Sequence, residues 1–210
     1  MQNGDFRSDE CIEFLKQSDI VATNPPFSLF REFVALLEKY NKKYIIIGNK
    51  NALTYKEIFS LIKANKLWTG HRNINKDMWL ILPDDAEKWE KIKPIKDAYG
   101  LEQNRKIKHI MACWFTNLDH KKRHEEIILY EHYTSEKYPK YDNYDAINID
   151  KCNEIPCDYN GIMGVPITFL DKYNPEQFEI IKFRKGNDDK DLSVNGKCPY
   201  FRIIIRSRYD

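Results

Sequence analysis

Apolar positions along the chain change their spacing several times, and each change marks an element. Ile20-Val21-Ala22 is a short apolar run that stops at Thr23-Asn24 and two prolines. Its length and bounding turn residues predict a buried parallel strand. Ahead of it, Ile12, Phe14 and Leu15 predict a short helix capped by Ser8 or Asp9. Between residues 28 and 40, Leu29, Phe30, Phe33, Val34, Leu37 and Tyr40 recur at helical spacing, and Asn41 can end that helix. Residues 44–48 form a second continuous apolar strand. Thr54 and Glu57 have capping-box spacing, opening a helix through Ile58, Phe59 and Ile62. Strand and helix in alternation predict parallel crossovers in a doubly wound sheet.

Farther along, residues 78–82 and 108–115 read as partnered strands joined by a charged, partly helical connection containing Trp89. His109 then reads as a strand residue with a satisfied ring rather than a catalyst. After Leu118 the texture changes. A basic loop, Asp119-His120-Lys121-Lys122-Arg123-His124, is followed by dense tyrosines, and strand periodicity is poor between 134 and 160. Residues 145–149 suggest a short strand. Asn174-Pro175 reads as a helix cap with proline at the first helical position, and residues 200–208 as a basic closing strand. The pattern therefore predicts an α/β sheet in residues 1–118 and an irregular α+β region in 119–210.

Composition narrows the class. The 210 residues are 42% hydrophobic and 13% aromatic, which suits a folded protein with a real core. No apolar run approaches the roughly 18 residues that would span a bilayer, and the polar amino terminus lacks a signal-peptide pattern. Five cysteines lack zinc-type spacing; Cys152 and Cys157 have no companions to complete four ligands. Reduced thiols, no metal, no membrane association and a cytoplasmic location are the expectations. With 34 basic and 32 acidic residues, the net charge of +2 does not mark a nucleic-acid binder, so any such binding must rest on local basic strips.

The chemistry concentrates at Asn24-Pro25-Pro26-Phe27. Neither proline can donate to a strand ladder, and Pro26 holds Pro25 extended. Asn24 thus sits in a stiff loop at the carboxyl end of a strand, the edge where open α/β sheets bind ligands. The plain alternative is a helix start with Ser28 as cap, which asks for neither asparagine nor an aromatic. Asn-Pro-Pro-Phe in this setting resembles the catalytic motif of amino-group DNA methyltransferases, which use S-adenosylmethionine. That resemblance implies that the Asn24 side-chain oxygen and the Pro25 carbonyl accept from the two N–H groups of a target amine. It implies that Phe27 stacks on the extruded base. In those families an Asp-Phe pair contacts the adenine ring of the cofactor; here the order and spacing assign that place to Asp5 and Phe6, following Gly4. A capping aspartate beside a core phenylalanine is the simpler alternative.

Further stretches are more particular. Cys113-Trp114-Phe115-Thr116-Asn117-Leu118, Tyr141-Asp142-Asn143-Tyr144-Asp145-Ala146-Ile147, the stretch from Gly164 to Phe178 and the closing Arg202-Ile203-Ile204-Ile205 resemble the EcoRI-type adenine-specific DNA methyltransferases. The resemblance implies a partial Rossmann-like methyltransferase sheet in 1–118 and a target-recognition region in 119–210. It implies transfer of a methyl group from S-adenosylmethionine to adenine N6 in double-stranded DNA, within a restriction-modification pair. Lys121, Lys122, Arg123, Lys182, Arg184, Lys185, Arg202, Arg206 and Arg208 become candidates for phosphate contacts; the alternative for each is an ordinary solvated surface. The family's glycine-rich cofactor loop has no counterpart ahead of Gly4, so the chain corresponds to the carboxyl-terminal two-thirds of such an enzyme. A second chain carrying that loop is the partner this implies. Two alternatives stay open: an inactive DNA-binding remnant, and a methyltransferase of another planar amine or amide, such as an RNA base or a protein glutamine.

Overall fold

A computed structural model describes residues 5–76, 78–97 and 99–209; Gly4 lies outside them. The elements in order are α1 (Asp9–Gln17), β1 (Ile20–Thr23), α2 (Phe30–Lys39), β2 (Lys43–Asn49), α3 (Lys56–Lys63), β3 (Trp68–Thr69), β4 (Met78–Ile81), β5 (Lys91–Lys96), β6 (Glu102–Ile110), β7 (Ala112–Thr116), β8 (Ile147–Asn148), β9 (Met163–Pro166), β10 (Phe178–Phe183) and β11 (Arg202–Ser207). They build three sheets, in the orders β1-β2-β7-β3, β10-β11-β9-β8 and β4-β6-β5.

The first sheet is mixed. β1 is parallel to β2, while β7 runs antiparallel to both β2 and β3. β1, β2 and β3 therefore point the same way, as the strand–helix alternation predicts, but β7 inserts between β2 and β3. The expected α/β class holds as a mixed α/β architecture of several sheets. β1 is less buried than its apolar run suggests. Among the described residues it is paired along its β2 edge alone, and Ile20 is 53% exposed. In α1, Ser8 is the cap, its hydroxyl accepting from the Cys11 N–H at 3.3 Å. No α1 residue is buried, and Phe14 is 64% exposed.

Several expected elements differ. The capping box at Thr54 does not form: its hydroxyl donates to the Asn51 carbonyl in a 3-10 turn, and α3 starts one residue later, after Tyr55, with no side-chain cap. The strand expected over 108–115 is broken at Met111 into β6 and β7, which join different sheets. The connection around Trp89 holds strand β5 and no helix among the described residues, because β5 finds a nine-residue partner in β6. Asn174-Pro175 opens a turn. Asn174 accepts from the Glu176 N–H through its side chain and from the Phe178 N–H through its carbonyl, and the chain then enters β10. A strand wins there because β11 supplies an antiparallel partner that no local propensity anticipates.

One hydrophobic cluster runs through both halves of the chain, from Phe30, Tyr44 and Ile46 to Phe178 and Ile205. The Phe59 and Phe183 rings meet at 4.8 Å across it. Asp171 ties the halves again, accepting from the Ile74 N–H at 2.8 and 2.9 Å. Gly48, near the end of β2, leaves room for an aromatic ring: an added Cβ would lie 2.7 Å from Phe30 Cζ and 2.9 Å from Phe115 Cε2. Gly48→Ala is expected to lower stability by roughly 1–3 kcal/mol through overpacking, measured by urea denaturation; a shift within experimental error would mean that Phe30 moves freely.

Candidate active site

Thr23, the last residue of β1, is paired with Ile46, so Asn24 leaves the sheet at the carboxyl end of the parallel pair. Pro25 is buried and anchors the loop, and Pro26 holds φ −56° and ψ 124°. The Leu29 N–H donates to the Pro26 carbonyl at 3.0 Å, closing a 3-10 turn over Phe27–Leu29 that runs into α2. Two prolines contribute no N–H groups, so this loop has two fewer donors to satisfy. Among the described residues, neither the Asn24 carboxamide nor the Pro25 carbonyl has a hydrogen-bond partner. Both acceptors sit at the rim of an open cleft of about 730 Å³, whose walls include Asp5, Phe6, Val21, Leu29 and Phe33. Phe27 opens the 3-10 turn and is 39% exposed.

The cleft joins the two sequence signals. Phe6 packs edge-on against Phe33 of α2, with ring centroids 5.1 Å apart. Asp5 is held by Arg7, a residue that no sequence motif singles out. Arg7 Nε donates to Oδ1 at 3.0 Å, Nη2 to Oδ2 at 2.7 Å, and the Arg7 backbone N–H to Oδ1 at 2.9 Å. Arg7 Nη1 also reaches Glu32 of α2 at 3.0 Å. The Arg7 hydrogen bonds hold the Asp5 carboxyl down at about 2, against an ordinary 3.8. Oδ2 accepts from Nη2 and also, at 3.3 Å, from Nε, which it shares with Oδ1. The sequence signal for Arg7 is its place two residues after an acidic side chain.

The basic candidates divide. Lys121 and Arg206 are exposed, although Arg206 pairs with Glu179 on β10 at 2.8 Å. Lys122 donates to Asn73 Oδ1 at 2.6 Å. Arg123 does not face solvent: its guanidinium lies 3.4 Å from the centre of the Trp68 ring and bonds Asn65 and Asp119. Burial lowers its pKa. Arg202 is likewise buried; Nε donates to Asn148 Oδ1 at 3.0 Å and Nη2 to Asp150 at 3.1 Å. These two guanidiniums support structure in place of the solvent-facing phosphate contacts expected of them. Both sit on positions whose partners, Trp68 and Asn148, are remote in sequence. Cys152 and Cys157 do not pair: the Cys152 thiol faces Thr168, and Cys157 lies at the surface beside His132.

This is a mixed α/β fold with acceptors at the carboxyl edge of a parallel strand pair, compatible with an α/β methyltransferase. The family model for adenine-specific methyltransferase EcoRI matches residues 1–208, and the chain belongs to that family. It is 56% identical over 208 residues to the type II methyltransferase M.EcoRI of Escherichia coli, covering 98% of this chain and 63% of that protein. It is 40% identical over 227 residues to the type II methyltransferase M.MgeORF184P of Mycoplasma genitalium, covering 98% of this chain and 70% of the relative. M.MpnI of Mycoplasma pneumoniae is 38% identical over 226 residues, with 98% and 69% covered. The chain thus spans under two-thirds of the E. coli relative's length. No solved structure matches it. Among the described residues, no helix is long and apolar enough to cross a membrane.

Two measurements check these assignments. The Asp5 carboxyl should titrate near 2 by NMR, and Arg7→Ala should return its midpoint toward 3.8. Because the folded value is depressed, its contribution to stability is present above the unfolded value and is lost as pH falls from 3.8 through 2. An unchanged midpoint in the variant would remove Arg7 as the cause. Arg123→Ala should destabilise the fold by about 2 kcal/mol, since it loses a desolvated cation–π contact; Lys121→Ala should leave thermal stability unchanged. Equal melting temperatures for both variants would contradict the structural role of Arg123.

Proposed function

We propose that this chain forms the methyl-transfer site and target-recognition part of an adenine-N6 DNA methyltransferase of the restriction-modification kind. The observation that carries the reading is the pair of unpartnered acceptors, Asn24 Oδ1 and the Pro25 carbonyl, on a rigid loop beside the Asp5–Phe6 wall. The relatives named type II methyltransferases support it. The order β1-β2-β7-β3, with one antiparallel strand between two that run parallel, supports the partial Rossmann-like sheet.

An exocyclic adenine amine is a weak nucleophile because its lone pair is delocalised into the ring. Asn24 and Pro25 accept from its two N–H groups and draw the nitrogen toward a tetrahedral, more nucleophilic state. Such preorganised acceptors need no reorganisation at the moment of reaction. Phe27, exposed at the same loop, stacks on the base taken out of the duplex. S-adenosylmethionine, when bound, supplies the methyl group from its sulfonium. The residues of the cleft fit its adenosine end: Phe6 and the Asp5 carboxylate stand on one wall, an aromatic surface beside an acceptor for a ring amine. The proton released from the amine leaves to solvent through the open cleft. Lys121 and Arg206 are solvent-facing candidates for phosphate contact, with Lys122, Arg123 and Arg202 supporting the surface beneath. Residues 1–118 then carry the chemistry and 119–210 the target contacts.

Asn24→Ala is expected to slow single-turnover methylation of a duplex by roughly 10²–10³-fold with an unchanged melting temperature. Phe27→Ala should weaken transfer by the loss of about 1–3 kcal/mol of stacking, while Phe27→Trp retains most of it. Methyl transfer at the parent rate by Asn24→Ala would overturn the assignment of the site; labelled methyl appearing on RNA or protein in place of adenine would favour a different substrate.

A further inference from the structure

The sheet formed by β4, β6 and β5 lies outside the catalytic sheet, and the reading above assigns nothing to it. Strand alternation and register place the side chains of Trp79, Lys91, Lys93, Arg105 and His109 on one face, and no acidic side chain of the three strands shares that face. The Lys91 and Lys93 ammoniums stand 5.1 and 5.9 Å from the Trp79 ring centre, in keeping with the shared face. Among the described residues neither lysine has an ion-pair partner. Arg105 reaches only the exposed Asp84, at 3.9 Å, and its buried Nε has no hydrogen-bond partner. Two lysines without an ion-pair partner among the described residues, held over a ring beside the partly exposed Arg105 side chain, make a surface suited to anionic oxygens.

Its position is set by connectivity. β6 runs through Met111 into β7, and the Lys50 N–H donates to the Met111 carbonyl at 2.9 Å. β7 begins opposite the end of β2, with Ala112 against Asn49 and Cys113 against Gly48. Asn24 leaves β1 at this same end of the sheet. Two inter-strand steps of about 4.8 Å separate β1 from β7, and a few residues of about 3.3 Å each lead on to β6. The base of the outer sheet thus stands roughly 15–20 Å from Asn24, and Arg105, six residues before Met111 on β6, lies about 20 Å farther along the strand. One turn of duplex, about 34 Å, is long enough to reach from an extruded base at Asn24 to that strand.

We propose that this face is a docking surface for duplex DNA, with Lys91, Lys93 and Arg105 contacting phosphates about one helical turn from the extruded adenine. The inference rests on the methyltransferase reading and extends DNA contact from the region after residue 118 to the sheet that leads into β7. It also explains Trp79: the ring holds two flexible lysines in place without neutralising them, which lowers the entropy lost when phosphate binds.

The test is duplex binding by the 210-residue chain at several salt concentrations. Replacing Lys91, Lys93 and Arg105 together by alanine should weaken binding at least tenfold at low salt. It should also flatten the slope of log K against log salt by about 2–3, close to 0.9 for each phosphate that is no longer neutralised. A second variant, Lys91→Gln with Lys93→Gln, leaves Arg105 in place and guards against misfolding; it should flatten the slope by about 2. The comparison variant removes the same charge at the end of the first sheet away from Asn24, where Lys39, Lys43 and Lys66 are exposed; its binding should match the parent. A parental slope in both outer-sheet variants overturns this inference and leaves the methyltransferase reading standing. Equal losses in the comparison variant overturn it too, reducing the effect to net charge. A parent chain that binds no duplex overturns both.

Discussion

Strand β2 is held between two neighbours of opposite direction, β1 and β7, and most of the site depends on that double pairing. At its start, Asn117 takes the place of a strand residue. Its side-chain oxygen accepts from the Tyr44 N–H and its amide nitrogen donates to the Lys42 carbonyl, both at 2.8 Å. Thr116 adds a hydroxyl donating to the Tyr44 carbonyl. At the other end Gly48 lets Phe30 lie against the sheet, 4.9 Å from the Phe115 ring. Phe30 begins α2, so the same packing that anchors the helix also fixes the loop of Asn24 just ahead of it.

The second half is built on polar groups that are satisfied inside the fold. Tyr141 donates to Asn148 Oδ1 at 2.9 Å, Arg202 bonds the same oxygen, and Asn148 donates in turn to Asp150. Gly164 has no room for a side chain because Tyr141 fills the space, its ring 2.7 Å from where a Cβ would be. Asp142 accepts from Ser193 Oγ and the N–H groups of Asn195 and Gly196, stapling the loop before β11. These contacts give a chain with little regular structure between 117 and 162 a defined shape, since a buried polar group left unpaired is costly. Removing one partner therefore strands another.

Arg123 and Arg202 show why residue type alone misassigns a surface. Both carry the charge that a phosphate contact needs, yet Trp68 and Asn148 claim them from 55 and 54 residues away. Lys91 and Lys93 are the converse. They occupy an ordinary-looking lysine-rich strand, and only the register with β6 and β4 brings them over one indole ring.

Local chemistry was enough for the parts that need no distant partner. The double proline after a short apolar run placed Asn24 in a stiff loop. The helical spacing over 28–40 placed α2, and the stretches resembling the EcoRI-type enzymes named the family over nearly the whole chain. Those readings rest on backbone stereochemistry and short-range periodicity, which a sequence carries directly. Tertiary structure decided what depends on pairing between remote strands. It broke the 108–115 run into β6 and β7, drew the segment after Asn174 into β10, and left the Thr54 capping box unmade. It also joined Arg7, through its second donor, to Glu32 of α2, 25 residues away. Strand partners and burial are set by segments far apart in sequence, and no local pattern specifies which will meet.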